Sequence, residues 1–517
     1  MSKNSNGCNY VCAGLDTVYS ELNGAVEMYP DRFSFESFDS FLKNNVNKFL
    51  TSIGSVVTRL TENSAKRMKI LSKGRINTSL VDKYTEVLKR FKECRFLKNC
   101  EIIVDSGAYS MQVGYFDRTE IPQFIELYNN CFLKEKSDLF DYAFLLDIVP
   151  GSSVNIFNSS EDMEELADKS YMLASQLSDE IRSKLFYVQH FRTPLINKVY
   201  RELLKKYGTA FSNFSTGGLV SFSRIGTNIP PYLLYAIPLI YIIDHLKDTN
   251  IKKFRFHVLG GSEWKEIISH KMFERIIKDL FDIDVQITYD SSTLFRTVCM
   301  GRYTYYTDER LRRVGKLILR STHLDTYDVT QKTKPTSEDL TNYELFCRLI
   351  NKAISGTGIA TVNSENFKIY EYDDESNIDK SDSLLDLMLN SEEKAKSKFS
   401  KLAYIYSTLQ MLHVFKEVEE WCIEDSERLY KLYSSCKDSS SKYNELVNEL
   451  DKLMIMLTGG VRVSSNLIRI RSLSLLNSLN LFKEYKESPK DTLQKCDYLI
   501  SEYMQKDEVL VSKKNIV

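Results

Sequence analysis

Between about residues 68 and 310 the chain alternates short β-rich runs with longer segments of helical period, and this rhythm restricts the fold more than any other feature. Parallel strands cannot be joined by tight turns, so strand, helix and strand in succession imply right-handed crossover units. The predicted strands are 67–71, 101–105, 142–148, 185–190, 212–216, 254–259, 285–289 and 302–306. Helices are predicted over 120–133, 160–184, 196–207, 232–246 and 263–280, where apolar residues recur at three and four. Eight strands so spaced favour an α/β TIM barrel, (β/α)8, with its functional residues at the carboxyl ends of the strands. A doubly wound open sheet has the same periodicity and stays open at this level.

Beyond about residue 331 the strand signals fade. The stretch 373–383 (DDESNIDKSDS) reads as a polar linker, and 401–421, 426–435, 442–457 and 467–487 have helical period. The expected organisation is an N-terminal helical or irregular extension over 1–65, a barrel over 66–330 and a mostly helical C-terminal region over 331–517. With 69 basic and 70 acidic side chains, no overall field selects a polyanionic partner, although a neutral sum can hide a local basic face. The ten cysteines contain neither C-x-x-C nor C-x-C, so they read as reduced intracellular thiols and not as a disulfide framework or a zinc ribbon. The N-terminus, interrupted by Asn4, Asn6, Asp16 and Glu21, lacks the pattern of a signal peptide. The apolar stretch 229–243 contains Pro230, Pro231 and Pro238 and falls short of the roughly 20 residues that span a bilayer. A soluble cytoplasmic protein with no membrane partner is expected.

Nearly every predicted strand runs into a polar or glycine-containing end: Asp105-Ser106-Gly107-Ala108-Tyr109, Asp147, Gln189-His190, Thr216-Gly217-Gly218, Gly260-Gly261 and Asp290. On a barrel these ends face one another. A carboxylate closing an apolar run such as EIIVD, AFLLD or VQITYD is costly to desolvate unless it is paired or used in function. Capping the next helix is the competing role for any single one of them.

Taken in order, these segments resemble the tRNA-guanine transglycosylase superfamily. VDSGAYSMQVG is similar to the family's D-S-G-G-Y-Q, FLLDIVPG to F-D-E-C-x-P-Y, FYVQHF to I-I-Q-G and STGGLV to the G-G-L strand end. VLGGSEW stands where the family has L-M-G-V-G, and YDSSTLFR where it has F-D-C-x-x-P-T-R. The order and spacing of the six segments, over about residues 100–310, carry the resemblance, and no single segment does.

The resemblance implies that Asp290 is the covalent nucleophile on C1′ of a guanosine nucleotide and that Asp105 handles the proton on N9. Such a base needs a pKa raised by burial or by a neighbouring carboxylate, which convergence with Asp147 and Asp290 would supply. Asp147 matches the reader of N1–H and the exocyclic amine, while Gln189 and the backbone N–H of Gly218 match the groups on the O6 side. Gly217, Leu219, Gly260 and Gly261 complete the base pocket, with Tyr109 as a stacking aromatic and Ser106 as a second contact. Arg296, six positions after Asp290, matches a nucleic-acid contact. Arg302, Arg310, Arg312 and Arg313, interleaved with Tyr303, Tyr305 and Tyr306, suit phosphates and unpaired bases; a solvated helix face accounts for the same charges.

The departures from the family bear on substrate. The tRNA enzymes carry a C-x-C-x-x-C and distant-His zinc module after the nucleophile, whereas Cys299 and Cys347 are isolated here, so neither zinc nor an organic cofactor is expected. His413, in LQMLHVFKEVEEW, is expected to be a packed side chain. Asp147 is followed by Ile-Val-Pro, and Ala108 replaces a glycine. The missing zinc module and the helical tail are more similar to the DNA-acting branch found in phages and bacterial genomic islands, which replaces guanine in DNA by a 7-deazaguanine such as preQ0. Three other readings stay open: a zinc-less enzyme acting on tRNA, a catalytically silent nucleic-acid-binding barrel that docks a protein partner through its helical region, and a phosphate-binding barrel.

Overall fold

A computed structural model of the chain describes residues 9–13, 34–45, 47–53, 71–72, 75–76, 78–93, 100–108, 118–148, 160–190, 193–217, 232–260, 264–290, 303–318, 337–359, 393–436, 440–457 and 464–514. Its strands in chain order are β1 (Tyr10–Ala13), β2 (Lys48–Ser52), the two-residue β3 (Leu71–Ser72) and β4 (Arg75–Ile76), β5 (Glu101–Asp105), β6 (Tyr142–Phe144), β7 (Leu185–Gln189), β8 (Asn213–Thr216), β9 (Lys253–Val258), β10 (Asp284–Asp290), β11 (Tyr303–Asp308) and β12 (Arg313–Ile318). Eight of them close a parallel barrel in the order β1-β10-β9-β8-β7-β6-β5-β2. Closure is made by β1, which pairs with β10 on one side and β2 on the other, so the open-sheet alternative is excluded.

Two expectations about the strands are corrected. The first two barrel strands lie within residues 1–65, the stretch expected to be an extension. They are only four and five residues long, YVCA and KFLTS, too short for a periodic signal, and their burial comes from distant partners. The expected strand 67–71 is not part of the barrel: Leu71–Ser72 pairs antiparallel with Arg75–Ile76, and 67–70 lie outside the described residues. Nor is 302–306, because Tyr303–Asp308 forms an antiparallel hairpin with Arg313–Ile318.

The alternation of the strands sorts side chains into an inner and an outer set. Inside, a bidentate pair from Arg255 to Glu101 (2.8 and 2.9 Å) crosses the amino-terminal floor, with the guanidinium 4.3 Å from the ring centre of Tyr142. Above it, Phe144 lies 5.0 Å from both Phe186 and His257 and fills the middle. Outside, Phe49, Tyr187, Phe214 and Tyr289 pack into the helical layer.

That layer comprises α1 (Phe35–Asn45), α2 (Ser79–Glu93), α3 (Ile121–Glu126, continued by a π-helical turn over Leu127–Leu133), α4 (Ser160–Ser175), the short α5 (Asp179–Arg182), α6 (Pro194–Tyr207), α7 (Leu233–Leu246) and α8 (Trp264–Phe281). Helix starts follow local chemistry, as where Thr193 caps α6 by accepting the N–H of Ile196 and Pro194 supplies the fixed φ of the first turn. After the hairpin come α9 (Ser337–Ile354), α10 (Glu393–Ser435), α11 (Ser440–Met456), α12 (Ser465–Glu487) and α13 (Pro489–Lys514).

The helical C-terminal region is fused to the barrel. Phe415 of α10 stacks on Tyr10 of β1 at 3.9 Å and lies 6.3 Å from Tyr289 of β10, so α10 covers the seam where the barrel closes. Glu419 accepts the backbone N–H of Asn9 through both oxygens (3.0 and 2.8 Å) and faces Lys271 of α8 at 3.4 Å. The expected boundary at residue 331 therefore does not cleanly separate barrel from tail, since α10 of the tail shares the layer over β1 and β10 with α8. Farther along, Phe482 of α12 packs on Phe273 of α8, and Asp497 of α13 accepts from Tyr241 of α7 at 2.7 Å. Among the described residues no helix is long and apolar enough to cross a membrane.

Candidate active site at the barrel mouth

Strand register brings the carboxylates of the sequence analysis to one end of the barrel. Ser52 of β2 is the register partner of Asp105, and Val11 of β1 that of Asp290, so both aspartates close their strands at the carboxyl-terminal mouth. Asp147, three residues past β6, joins them there.

Asp105 is partly exposed. Its Oδ2 accepts from Ser52 Oγ at 2.7 Å and from the backbone N–H of Gly107 at 3.4 Å, where Gly107 adopts φ +79°. Burial in the mouth pushes its pKa up to about 6, against the Ser52 hydrogen bond that lowers it, and the charges of Asp147 and Asp290 add to the rise. Both neighbouring carboxylates thus act on Asp105 in the same direction as burial.

Among the described residues, Asp290 is held through one oxygen. Its Oδ1 accepts the backbone N–H of Gly260 at 2.9 Å and faces His257 Nε2 at 3.1 Å, and among the described residues Oδ2 has no hydrogen-bond partner. Gly260 adopts φ +76°, a left-handed conformation that glycine enters without a Cβ clash and that turns its N–H onto the carboxylate. His257 is fully buried, and its other nitrogen, Nδ1, lies 2.9 Å from Thr288 Oγ1.

Asp147 is engaged through both oxygens, with Ser106 Oγ donating to Oδ1 at 3.3 Å and His190 Nε2 at 2.6 Å from Oδ2. His190 fits because of Gly217: a Cβ there would come within 2.6 Å of its Cε1, so the expected pocket glycine makes room for an imidazole.

Gln189 is a correction. The register of β7 with β6 and β8 aligns Phe186 with Phe144, an inward residue, so Val188 and His190 also face inward while Tyr187 and Gln189 face the helices. Gln189 Nε2 donates to the backbone oxygen of His190 at 3.2 Å, and its buried Oε1 has no partner among the described residues. A one-residue offset in a period of two moves a side chain to the other face, and His190 takes the inward place expected for Gln189.

Tyr109, Gly218, Leu219, Gly261, Arg296 and Arg302 lie outside the described residues. Of the remaining expected nucleic-acid contacts, Arg310 is exposed, whereas Arg312 pairs with Glu424 (3.2 Å) and Asp425 (3.5 Å) of α10 and Arg313 with Asp308 (3.6 Å). Arg312 thus ties the hairpin to α10, while Arg313 pairs within the hairpin itself. His413 on α10 faces Glu417 at 3.2 Å, and Glu417 also accepts from Thr307 of the hairpin; these two neighbours and Lys352 outweigh burial and hold the Glu417 carboxyl down at about 2. Among the described residues no group of three or more His, Cys, Asp or Glu side chains is placed to hold a metal ion.

Sequence reasoning missed Ser52, His257 and Thr288, and it named His190 as part of a strand end but gave the role to Gln189. The two histidines carried a signal: His257 sits at alternate spacing from Arg255 in FRFHV, and His190 ends FYVQH. No family model matches the chain, and no curated protein or solved structure matches it significantly.

Proposed function

We propose that this chain is a glycosyltransferase that exchanges guanine in nucleic acid for a 7-deazaguanine base such as preQ0, through a glycosyl ester on Asp290. The observation that supports the reading best is the pair of unlike carboxyls at one mouth: Asp105 raised to about 6, and Asp290 anchored by Oδ1, its Oδ2 having no hydrogen-bond partner among the described residues. Two titratable groups whose environments differ in this way divide the acid/base and nucleophilic roles between them.

In the exchange, Asp290 Oδ2 attacks C1′ as the C1′–N9 bond breaks, and protonated Asp105 gives its proton to the departing N9. The incoming base then returns through the reverse step: its N9–H passes the proton to Asp105 while N9 displaces the ester oxygen from C1′. Free enzyme is restored with no oxidant or reductant consumed. On duplex DNA the guanine must first leave the stack, at a cost of a few kcal/mol. DNA is the favoured substrate on the strength of the resemblance, and tRNA is the alternative.

The test offers labelled guanine or preQ0 to the protein with duplex DNA and with tRNA. Label is expected to enter DNA, a protein–nucleic acid adduct is expected to be trapped under denaturing conditions, and both are lost in Asp290→Ala. Incorporation into tRNA alone transfers the reading to the tRNA branch. No incorporation and no adduct with either polymer overturns base exchange and leaves the silent barrel.

A further inference from the structure

Below Asp290 the inside of the barrel holds a relay that the resemblance does not supply. His257 lies on β9 beside Thr288 of β10, its register partner, so the two side chains necessarily share the inner face. Thr288 Oγ1 is 2.9 Å from Nδ1, and Nε2 is 3.1 Å from Asp290 Oδ1. His257 is 0 % exposed and Thr288 1 %, and Phe144 and Phe186 line the ring, so neither side chain touches a substrate.

We infer that His257, set as the Nε2–H tautomer by the carboxylate it faces and braced at Nδ1 by Thr288, joins the N–H of Gly260 in clamping Asp290 by Oδ1, so that Oδ2 is the oxygen that attacks. An ionised carboxylate can only accept hydrogen bonds, so the ring nitrogen facing it must carry the proton. In the neutral ring the other nitrogen is then an acceptor, and a threonine hydroxyl, which both donates and accepts, satisfies it by donating. Two donors on one oxygen leave the carboxylate unable to swivel about its Cβ–Cγ bond without breaking both. His257 and Thr288 are positioning residues, and their role rests on the base-exchange reading.

The 15N resonances of the imidazoles test the first half without any substrate. The chain has six histidines, so His257 can be assigned by difference against His257→Gln. A deshielded, unprotonated Nδ1 that moves further downfield in Thr288→Val, where its donor is lost, but not in Thr288→Ser is the expected result. A protonated Nδ1 in the wild type overturns the assignment.

Single-turnover adduct formation tests the second half. His257→Leu is expected to slow adduct formation about 100-fold, the effect typical of losing one preorganised donor, with the Kd for nucleic acid unchanged. His257→Gln, which returns an N–H to the Nε2 position, is expected to recover most of the rate. Thr288→Val is expected to cost about 10-fold, as losses of an outer hydrogen-bond partner do. Equal loss in His257→Leu and His257→Gln, or a loss confined to Kd, overturns the positioning role. Wild-type protein that forms no adduct at all overturns base exchange and the nucleophile role with it, while the tautomer assignment still stands or falls on the resonances.

Discussion

His190 Nε2 lies 2.6 Å from Asp147 Oδ2, with the two residues 1 % and 6 % exposed. Removing one member of a buried pair leaves the other without compensation, which costs more than removing both. His190→Ala is expected to destabilise the protein by about 3 kcal/mol, and the double variant His190→Ala/Asp147→Asn by clearly less than the sum of the singles, with a coupling of about 1–3 kcal/mol. Chemical denaturation of the four proteins measures it. Strict additivity would show that the contact contributes nothing.

Gly217 supports the same contact from below. In Gly217→Ala the new methyl group meets His190 Cε1 at 2.6 Å, so the imidazole must shift from its place against Asp147. A loss of about 1–3 kcal/mol is expected from overpacking, accompanied by a change in the His190 imidazole resonances. Unchanged resonances would mean that the barrel adapts elsewhere.

Asp105 makes stability depend on pH in a definite direction. Its folded pKa, about 6, lies above the ordinary 3.8, so between these values the folded state binds the extra proton and stability falls as pH rises. The full penalty, on the order of 3 kcal/mol, is present well above pH 6. Asp105→Asn is expected to flatten this dependence and to be more stable than wild type at pH 7 while losing base exchange. Ser52→Ala removes the hydrogen bond that opposes the shift, so its transition moves to higher pH. Melts of the three proteins from pH 4 to 7 decide the matter, and identical slopes count against the shift.

Two ion pairs reach α10 or its loop-proximal end from α8, and they differ in burial. Glu419 is 4 % exposed and also accepts the backbone N–H of Asn9, whereas Glu427 and Arg275 are half-exposed. Glu419→Ala is expected to cost about 3 kcal/mol because it leaves the buried N–H of Asn9 at the start of β1 without its acceptor and Lys271 with Glu274 alone. Glu427→Ala is expected to cost less than about 1 kcal/mol. Thermal melts of both variants provide the comparison, and similar losses would contradict the role of Glu419 at the barrel seam.

How much of this was legible depended on whether the signal was local. Strands β5, β7, β8, β9 and β10 announced themselves, because an apolar run closed by a polar residue is a property of five to seven neighbours in sequence. The strand ends Asp105, Asp147 and Asp290 were legible for the same reason. β1 and β2 were not, since YVCA and KFLTS are buried by residues as distant as Phe415 and Phe91. Gln189 and His190 show a finer limit: adjacent residues at a strand end are equally good candidates on paper, and the register with β6 and β8 decides which faces inward.

The sequence by itself determined that there would be alternating strands and helices with carboxylates and glycines at the strand ends, because burial periodicity and turn chemistry are written in nearest neighbours. Tertiary structure alone decided that the barrel closes through β1, that α10 covers its seam, and that Asp147 and Asp290 each acquire a histidine. Those outcomes depend on strand register and on contacts across hundreds of residues, and electrostatic coupling such as that of Asp105 to Asp147 and Asp290 exists only once folding has brought the charges together.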